Sequence, residues 1–477
     1  MGRYVALMMF LSACGGSGSS SSPDAAGSAD AAAPTVTLNQ ACTDTYDQIY
    51  ADPTGLPAFD ASHRGDVFRC GRDRYFDAAS LDAITRLQGY TGAPLTSGVT
   101  MFRLAYRTER AVGEGHSAAI LFVPDHPRNP SALVVYAHAS AGVAPQCGPS
   151  RFDITTHGDW VDTNRAPLLA LVGAGFTVIM PDFAGYGFGD AAPGYASAED
   201  EAKSVLDATR AAKQLIPDAI RPTKVVLVGH SMGGHAVLSA HAMLSSYGAD
   251  GDVIGVVGLA PFWISNLAWG ALMSADQLGY TTTNASYMLE YQLDYYYGHG
   301  ELIDGAGHGL DLIQPGKRAA VSALLASGCL GDVADGMHTL GTYPSDYFDA
   351  TAVDSLSKCG FNDDCTTAPA TTWGPRFIAD RPAIAADGPP IALWYGGADT
   401  TISPAYAQCT DETLAKNVAG GTTTIQTCQD PGSDHISVPE RNLDWVTAWI
   451  DAKLTGAKSP ACAAPTSSTC PGLPPNL

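Results

Sequence analysis

A serine, an aspartate and a histidine stand in this chain where they could together carry nucleophilic chemistry. The serine is Ser231, in the run Lys224 to Gly234 (KVVLVGHSMGG). A hydroxyl is a poor nucleophile at neutral pH. It needs a base within hydrogen-bond reach, and the base needs a carboxylate to hold its tautomer. Val225 to Val228 reads as a buried strand and His235 to Ala240 as a helix, so Gly229-x-Ser231-x-Gly233 has the strand–turn–helix context of a nucleophile elbow. The turn is so tight that residues two before and two after the serine must lack a Cβ. Gly229 and Gly233 meet that demand, and Gly234 lets the helix approach the sheet. The Ser231 hydroxyl then sits at the N-terminus of a helix, whose dipole favours negative charge.

A glycine-rich turn with an incidental serine has the same local pattern, so the partners decide. Asp399 follows the strand Pro390–Tyr395, and His435 lies in the loop Gly432–Pro439 after the last strand. The chain order Ser, acid, His is the one this kind of sheet uses, with both partners at carboxyl ends of strands. The catalytic set expected is Ser231, Asp399 and His435. Asp434 is the rival acid, but an adjacent residue does not reach round to its neighbour's outer ring nitrogen. A tetrahedral intermediate needs backbone donors. The amide of Met232 supplies one, and the amide of Ala139 or a neighbour, after the strand Ala132–Ala137, supplies the other. His138, His230 and His235 are expected to be structural, His230 wedged beside the elbow. Asp182 and Tyr186 border the same crevice, with Asp182 capping a loop.

The elements that must position these residues can be read in order. Met101–Thr108 and Ala118–Val123 form a hairpin, followed by strands Ala132–Ala137, Thr177–Met180, the elbow strand, Val253–Leu259, Pro390–Tyr395 and Thr422–Thr427. Helices fall between them near Ala166–Gly173, at Ala198–Ile216 with charges on a solvated face, after the elbow, at Pro404–Asn417 and at Leu443–Leu454. Alternating strands and helices predict an α/β fold: a mostly parallel sheet with helices on both faces. Residues 36–95 read as helices and loops. Pattern is lost from Pro261 to Asp387, which predicts an inserted cap of mixed helix and loop. Its apolar residues include Phe262, Trp263, Leu267, Trp269, Leu272 and Met273. They cannot all be buried in so irregular a segment, so Trp269 and Met273 are expected to line an acyl groove. The run Tyr295-Tyr296-Tyr297 is assigned to the cap's core. The predicted divisions are residues 1–14, 15–35, 36–260, 261–385, 386–456 and 457–477: signal, linker, first half of the main domain, cap, second half, and surface tail.

The first 14 residues have a single basic residue, Arg3, an apolar run from Tyr4 to Leu11, and small residues before Cys14. This resembles a bacterial lipoprotein signal, with Cys14 as the lipidated residue, and the run is too short to span a bilayer. The glycine, serine, alanine and proline stretch that follows, to Thr35, reads as a disordered linker. Removing Cys14 leaves ten of the 11 cysteines, an even number that suggests disulfides in an exported protein. Proximity suggests the pairs Cys42–Cys70, Cys147–Cys329, Cys359–Cys365, Cys409–Cys428 and Cys462–Cys470. Cys-x-x-Cys pairs and clustered histidines are absent, so neither a metal nor another cofactor is expected. A formal net charge of -22 argues against nucleic acid and anionic membrane surfaces as partners. Membrane contact would come through the lipid at Cys14, and a monomer is expected.

Several stretches together resemble the secretory lipase family, which includes the fungal lipase A type. They are Tyr136-Ala137-His138, Pro181 to Gly187 (PDFAGYG), Glu199 to Ala212 (EDEAKSVLDATRAA) and Gly229 to Gly234 (GHSMGG). The resemblance covers roughly residues 95 to 455, including the large cap before the acid. It implies an α/β-hydrolase fold and hydrolysis of carboxylic esters, often of acylglycerols. It places Ser231, Asp399 and His435 on the triad positions, and Met232 and Ala139 on the oxyanion-hole positions. Two places depart from the family: Ala139, where relatives often carry Gly or Asp, and His230, where several carry Tyr. The expectation is therefore a serine ester hydrolase, a lipase or carboxylesterase, with an acylglycerol or other small ester as substrate. The alternatives are a serine peptidase or acyltransferase on the same triad, and a non-catalytic surface binding protein on a hydrolase scaffold.

Overall fold

The computed structural model describes residues 34–153, 159–186, 188, 192–263, 266–274 and 282–465. The expected lipidation site Cys14 and nearly all of the linker lie outside the described residues. Nine strands form one sheet: β1 (Val67–Phe76), β2 (Val99–Arg110), β3 (Gly113–Pro124), β4 (Leu133–Ala137), β5 (Thr177–Pro181), β6 (Lys224–His230), β7 (Asp252–Leu259), β8 (Ile391–Gly396) and β9 (Ile425–Asp430). Their spatial order is β1-β2-β3-β5-β4-β6-β7-β8-β9. β1 to β3 and the β3–β5 pair are antiparallel, and the rest of the sheet is parallel.

The parallel strands are apolar on both sides because helices cover both faces. On one face, helix Asp159–Gly173 packs between Ala78–Leu87 and Ser437–Thr455, over a core that includes Leu169, Val172, Val446 and Trp449. On the other face lie helices Ala198–Leu215 and Met232–Met243, over Val135, Val205, Leu227 and Val237. Each fully buried aliphatic side chain of this kind stabilises the fold by about 1.5–3 kcal/mol. In register, Ala137 faces Gly229, His230 faces Leu259, Leu259 faces Trp394 and Gly396 faces Asp430. The carboxyl ends of these strands are therefore level, and the loops after them meet above one edge.

Three expectations are corrected. Residues 36–95 contain β1, which sequence patterning hides because Arg69, Arg72, Asp73 and Arg74 interrupt its apolar residues. It is the edge strand, where charges on the solvent side discourage further pairing. β9 begins and ends three residues later than expected. The charges of helix Ala198–Leu215 are only in part on a solvated face: Glu199 and Lys213 are exposed, but Asp200, Glu201, Lys203 and Asp207 are buried. The helix packs against β2 and helix Met232–Met243. Each buried charge finds a partner there: Arg110 with Asp200 at 2.6 Å, His235 with Glu201 at 2.7 Å, and Lys203 with Glu109 at 2.8 Å. Asp207 accepts from Thr108 and Tyr247, each at 2.7 Å.

Between β7 and β8 the chain forms helices, among them Asn266–Leu272, Thr282–His299, Arg318–Ser327, Ala350–Asn362 and Ala370–Ala379. Tyr295 and Tyr296 are buried at the centre of this layer, against Trp373 and Phe377. Trp269 stacks on Tyr295 at 4.6 Å. The pairs Cys42–Cys70, Cys147–Cys329 and Cys359–Cys365 form as expected. The pairs Cys409–Cys428 and Cys462–Cys470 do not: Cys428 is bonded to Cys462. The tail turns back along β9, where the Gln429 amide donates to Ala463 O at 2.8 Å. That contact sets Cys462 beside Cys428, so sequence proximity was the wrong guide for these two pairs.

Candidate active site

The elbow after β6 is built by exclusion. Ser231 has φ 54° and ψ -117°, a backbone conformation that costs a non-glycine residue of order 1–3 kcal/mol. Surrounding bonds hold it there. The Ser231 amide donates to Leu259 O at 2.9 Å, and Ser231 O accepts from the amides of His235 and Phe262 at 3.1 and 3.0 Å. A Cβ at Gly229 would lie 2.1 Å from Gly233 O, and one at Gly233 would lie 2.0 Å from Ala137 O. A Cβ at Gly234 would meet Pro261, 2.7 Å away, so the helix could not seat against the end of β7.

Asp399 and His435 reach the same point from the loops after β8 and β9. His435 Nδ1 is 2.8 Å from Asp399 Oδ2, and His435 Nε2 is 2.9 Å from Ser231 Oγ. The carboxylate can only accept, so Nδ1 carries the proton and Nε2 accepts from the serine hydroxyl. Asp399 is buried, and its other oxygen accepts from the amides of Thr401 and Ile402 at 2.8 and 2.7 Å. Those two donors fix which oxygen faces the histidine. Asp434 points elsewhere: its carboxylate accepts from the amide and hydroxyl of Ser437 at the start of the last helix, which hold it below the usual carboxylate range.

The neighbouring histidines have positioning roles. His230 Nε2 donates to His435 O at 2.9 Å, and the rings lie 5.0 Å apart. Burial, then the His435 ring, pushes the His230 pKa well below the ordinary value, so His230 stays neutral and steadies the backbone of His435. His138 stacks on Phe183 at 4.4 Å and donates from Nδ1 to Ala139 O at 2.7 Å. Burial lowers it to about 4. His235 bridges Glu201 and Asp380 O, both at 2.7 Å, inside the packed helices. Asp182 holds a loop, as expected, accepting from the Ser150 amide at 2.8 Å and hydroxyl at 2.6 Å. Burial raises it to about 7. Tyr186 donates to Gly142 O.

Among the described residues, Ser231 and His435 open onto a cavity of about 30 Å³ lined also by Ala139, Ser140, His230, Tyr291, Leu330 and Ile436. Ala139 is thus at the cleft. Met232 opens helix Met232–Met243, where the first amides have no intrahelical acceptor. Trp269 and Met273 are fully buried in the core and are not among these lining residues, contrary to the expectation of an acyl groove there. Aromatic stacking and burial take them instead. Tyr291, Leu330 and Ile436 were missed from sequence. The only signal was the tyrosine-rich stretch from Tyr291 to Tyr297, and it did not separate the cleft residue Tyr291 from the core residues Tyr295 and Tyr296. Behind Tyr291, Glu290 and Asp294 are buried on the same helix, and burial raises both carboxyls. No group of His, Cys, Asp or Glu suited to a metal ion occurs among the described residues.

Comparison with known proteins gives a consistent picture. The model of the alpha/beta hydrolase family matches residues 134–449. Among solved structures, a putative hydrolase from Legionella pneumophila is similar, with a TM-score of 0.62 at 17% identity, covering 80% of this chain and 97% of that one. Lipase A of Candida antarctica, in its closed state, gives 0.60 at 16% identity over 90% and 89% of the two chains. The rice cell wall degrading esterase LipA of Xanthomonas oryzae gives 0.57 at 15% over 82% and 99%. These likenesses are of fold. Among curated proteins none matches.

Proposed function

Because the chain belongs to the alpha/beta hydrolase family, we propose that it is a serine hydrolase of carboxylic esters, a lipase or carboxylesterase. The observation that carries this reading is the unbroken hydrogen-bonded line from Asp399 through His435 to Ser231, at 2.8 and 2.9 Å. Ser231 Oγ attacks the ester carbonyl carbon while His435 Nε2 takes the hydroxyl proton. The carbonyl oxygen becomes an oxyanion, which the amides of Met232 and Ala139 stabilise. His435 then passes its proton to the leaving alcohol, and the acyl group stays on Ser231. A water molecule, deprotonated by His435, attacks the acyl carbon; the acyl–Oγ bond breaks, His435 returns the proton to Ser231 Oγ and the carboxylic acid leaves. Asp399 orients the imidazole throughout. The helices between β7 and β8 act as a cap over the cleft, since Tyr291 and Leu330 come from that segment.

The disulfides fit an exported protein. Within this reading Cys14 carries a lipid that anchors the chain to a membrane, and no helix among the described residues is long and apolar enough to cross one. The test is direct. A fluorophosphonate should label Ser231, and p-nitrophenyl acetate should be turned over while a matched amide is not. An amide cleaved as well as the ester would favour a peptidase.

A further inference from the structure

We propose that the acyl site is a short, fixed pocket closed by Tyr291 and Leu330, and that the preferred substrates are esters of acids of about two or three carbons. This rests on the ester-hydrolase reading above and names its substrate class.

The cleft has two sides. His435 must hand its proton to the leaving alcohol, so the alcohol lies on the histidine side. There Ile436 is half exposed, at 49%, and the cleft opens outward. The acyl group lies on the other side, towards the loop that carries Ala139. Leu330 belongs to that side, because its amide donates to Ala141 O at 3.1 Å. The cavity of about 30 Å³ is small. A water molecule alone needs about 10–15 Å³, so the space takes only a small group beyond the ester carbonyl. An acetyl or propionyl chain fits; an octanoyl chain does not.

The wall also has little freedom to withdraw. The disulfide Cys147–Cys329 ties the turn before Leu330 to the segment after the Ala139 loop. Packing there is close: a Cβ on Gly142, which has φ +92°, would stand 3.2 Å from Cys329 Cα and from the Leu330 nitrogen. On its other flank the turn is held by Glu290, whose Oε2 accepts from the amides of Gly331 and Ala334 at 3.2 Å each. Glu290 precedes Tyr291 on helix Thr282–His299, so these bonds tie the helix that carries Tyr291 to the turn that carries Leu330. Burial raises both carboxyls behind Tyr291.

The experiment is a series of p-nitrophenyl esters from acetate to octanoate, below micelle-forming concentrations, with kcat/KM measured for each. The wild-type protein should favour acetate over octanoate by at least tenfold, since a single ill-fitting methylene costs roughly 10- to 200-fold. Leu330→Ala and Tyr291→Ala should each raise the octanoate-to-acetate ratio about tenfold. The paired change Cys147→Ser with Cys329→Ser should raise it as well, by freeing the wall. A wild-type preference for octanoate, or a ratio unmoved by both truncations, overturns the inference and leaves the ester-hydrolase reading standing. Failure to hydrolyse any ester, with Ser231 unlabelled by a fluorophosphonate, overturns both. The wild-type series decides the matter even where a truncated variant does not fold.

Discussion

Replacing Asp399 by Asn tests the reading at its most exposed joint. The carboxylate makes three bonds: Oδ1 accepts from the amides of Thr401 and Ile402, and Oδ2 accepts from His435 Nδ1. An asparagine has one acceptor and one donor end. Turning its NH2 towards the two amides would set donors against donors and leave buried groups unpaired, at about 1–3 kcal/mol each. Keeping the carbonyl on the amides loses nothing there, so the NH2 must face His435 Nδ1. The imidazole then accepts at Nδ1 and carries its proton on Nε2, which faces Ser231. That nitrogen donates to the serine and can no longer take its proton. The expected loss in kcat is about 10⁴-fold, as for a wrong tautomer in other serine triads. At 1.36 kcal/mol per tenfold, this is about 5.4 kcal/mol of transition-state stabilisation. The assay is kcat on p-nitrophenyl acetate, with thermal unfolding as the control for folding, which should change little. Asp399→Asn retaining more than about a tenth of the activity, or Asp434→Asn proving the crippling change, would refute the reasoning.

Ser231→Ala should lose about 10⁵-fold or more of turnover and all fluorophosphonate labelling; labelling that persists would show that another serine is the nucleophile. Asp182→Asn addresses pH. Burial raises the Asp182 carboxyl to about 7 in the folded protein, so between the unfolded value near 4 and about 7 the folded state binds more protons. Stability from this group is therefore greatest at low pH and falls as pH rises through that window, by up to about 1.4 kcal/mol per unit. The Asn variant, which keeps an acceptor for the Ser150 amide, should lack this slope in chemical denaturation at pH 5, 6 and 7; an unchanged slope refutes the assignment. Cys14→Ser should move the protein from the membrane to the soluble fraction, because lipid on that residue is its one proposed anchor; an unchanged membrane fraction refutes the anchor.

What the sequence alone determined about this protein is what short-range sterics dictate. The elbow is legible because Gly229 and Gly233 stand where a Cβ would meet backbone oxygen at about 2 Å, a constraint written within five residues. Parallel strands buried on both faces are legible as aliphatic runs stopped by glycine, and the residues after their carboxyl ends named Ser231, Asp399 and His435. The tertiary structure decided whatever depends on what lies opposite. Asp200, Glu201 and Lys203 of helix Ala198–Leu215 look solvated in sequence, and they are buried because Arg110, His235 and Glu109 arrive from other elements to meet them. Cys428 bonds Cys462 because the tail returns along β9, a pairing that spacing does not encode. Trp269 and Tyr291 are both cap aromatics with no local mark to tell them apart, yet one is stacked into the core and the other lines the cleft. Which face of an irregular helical segment meets the substrate is set by the long-range packing of its neighbours, and that packing leaves no period in the chain.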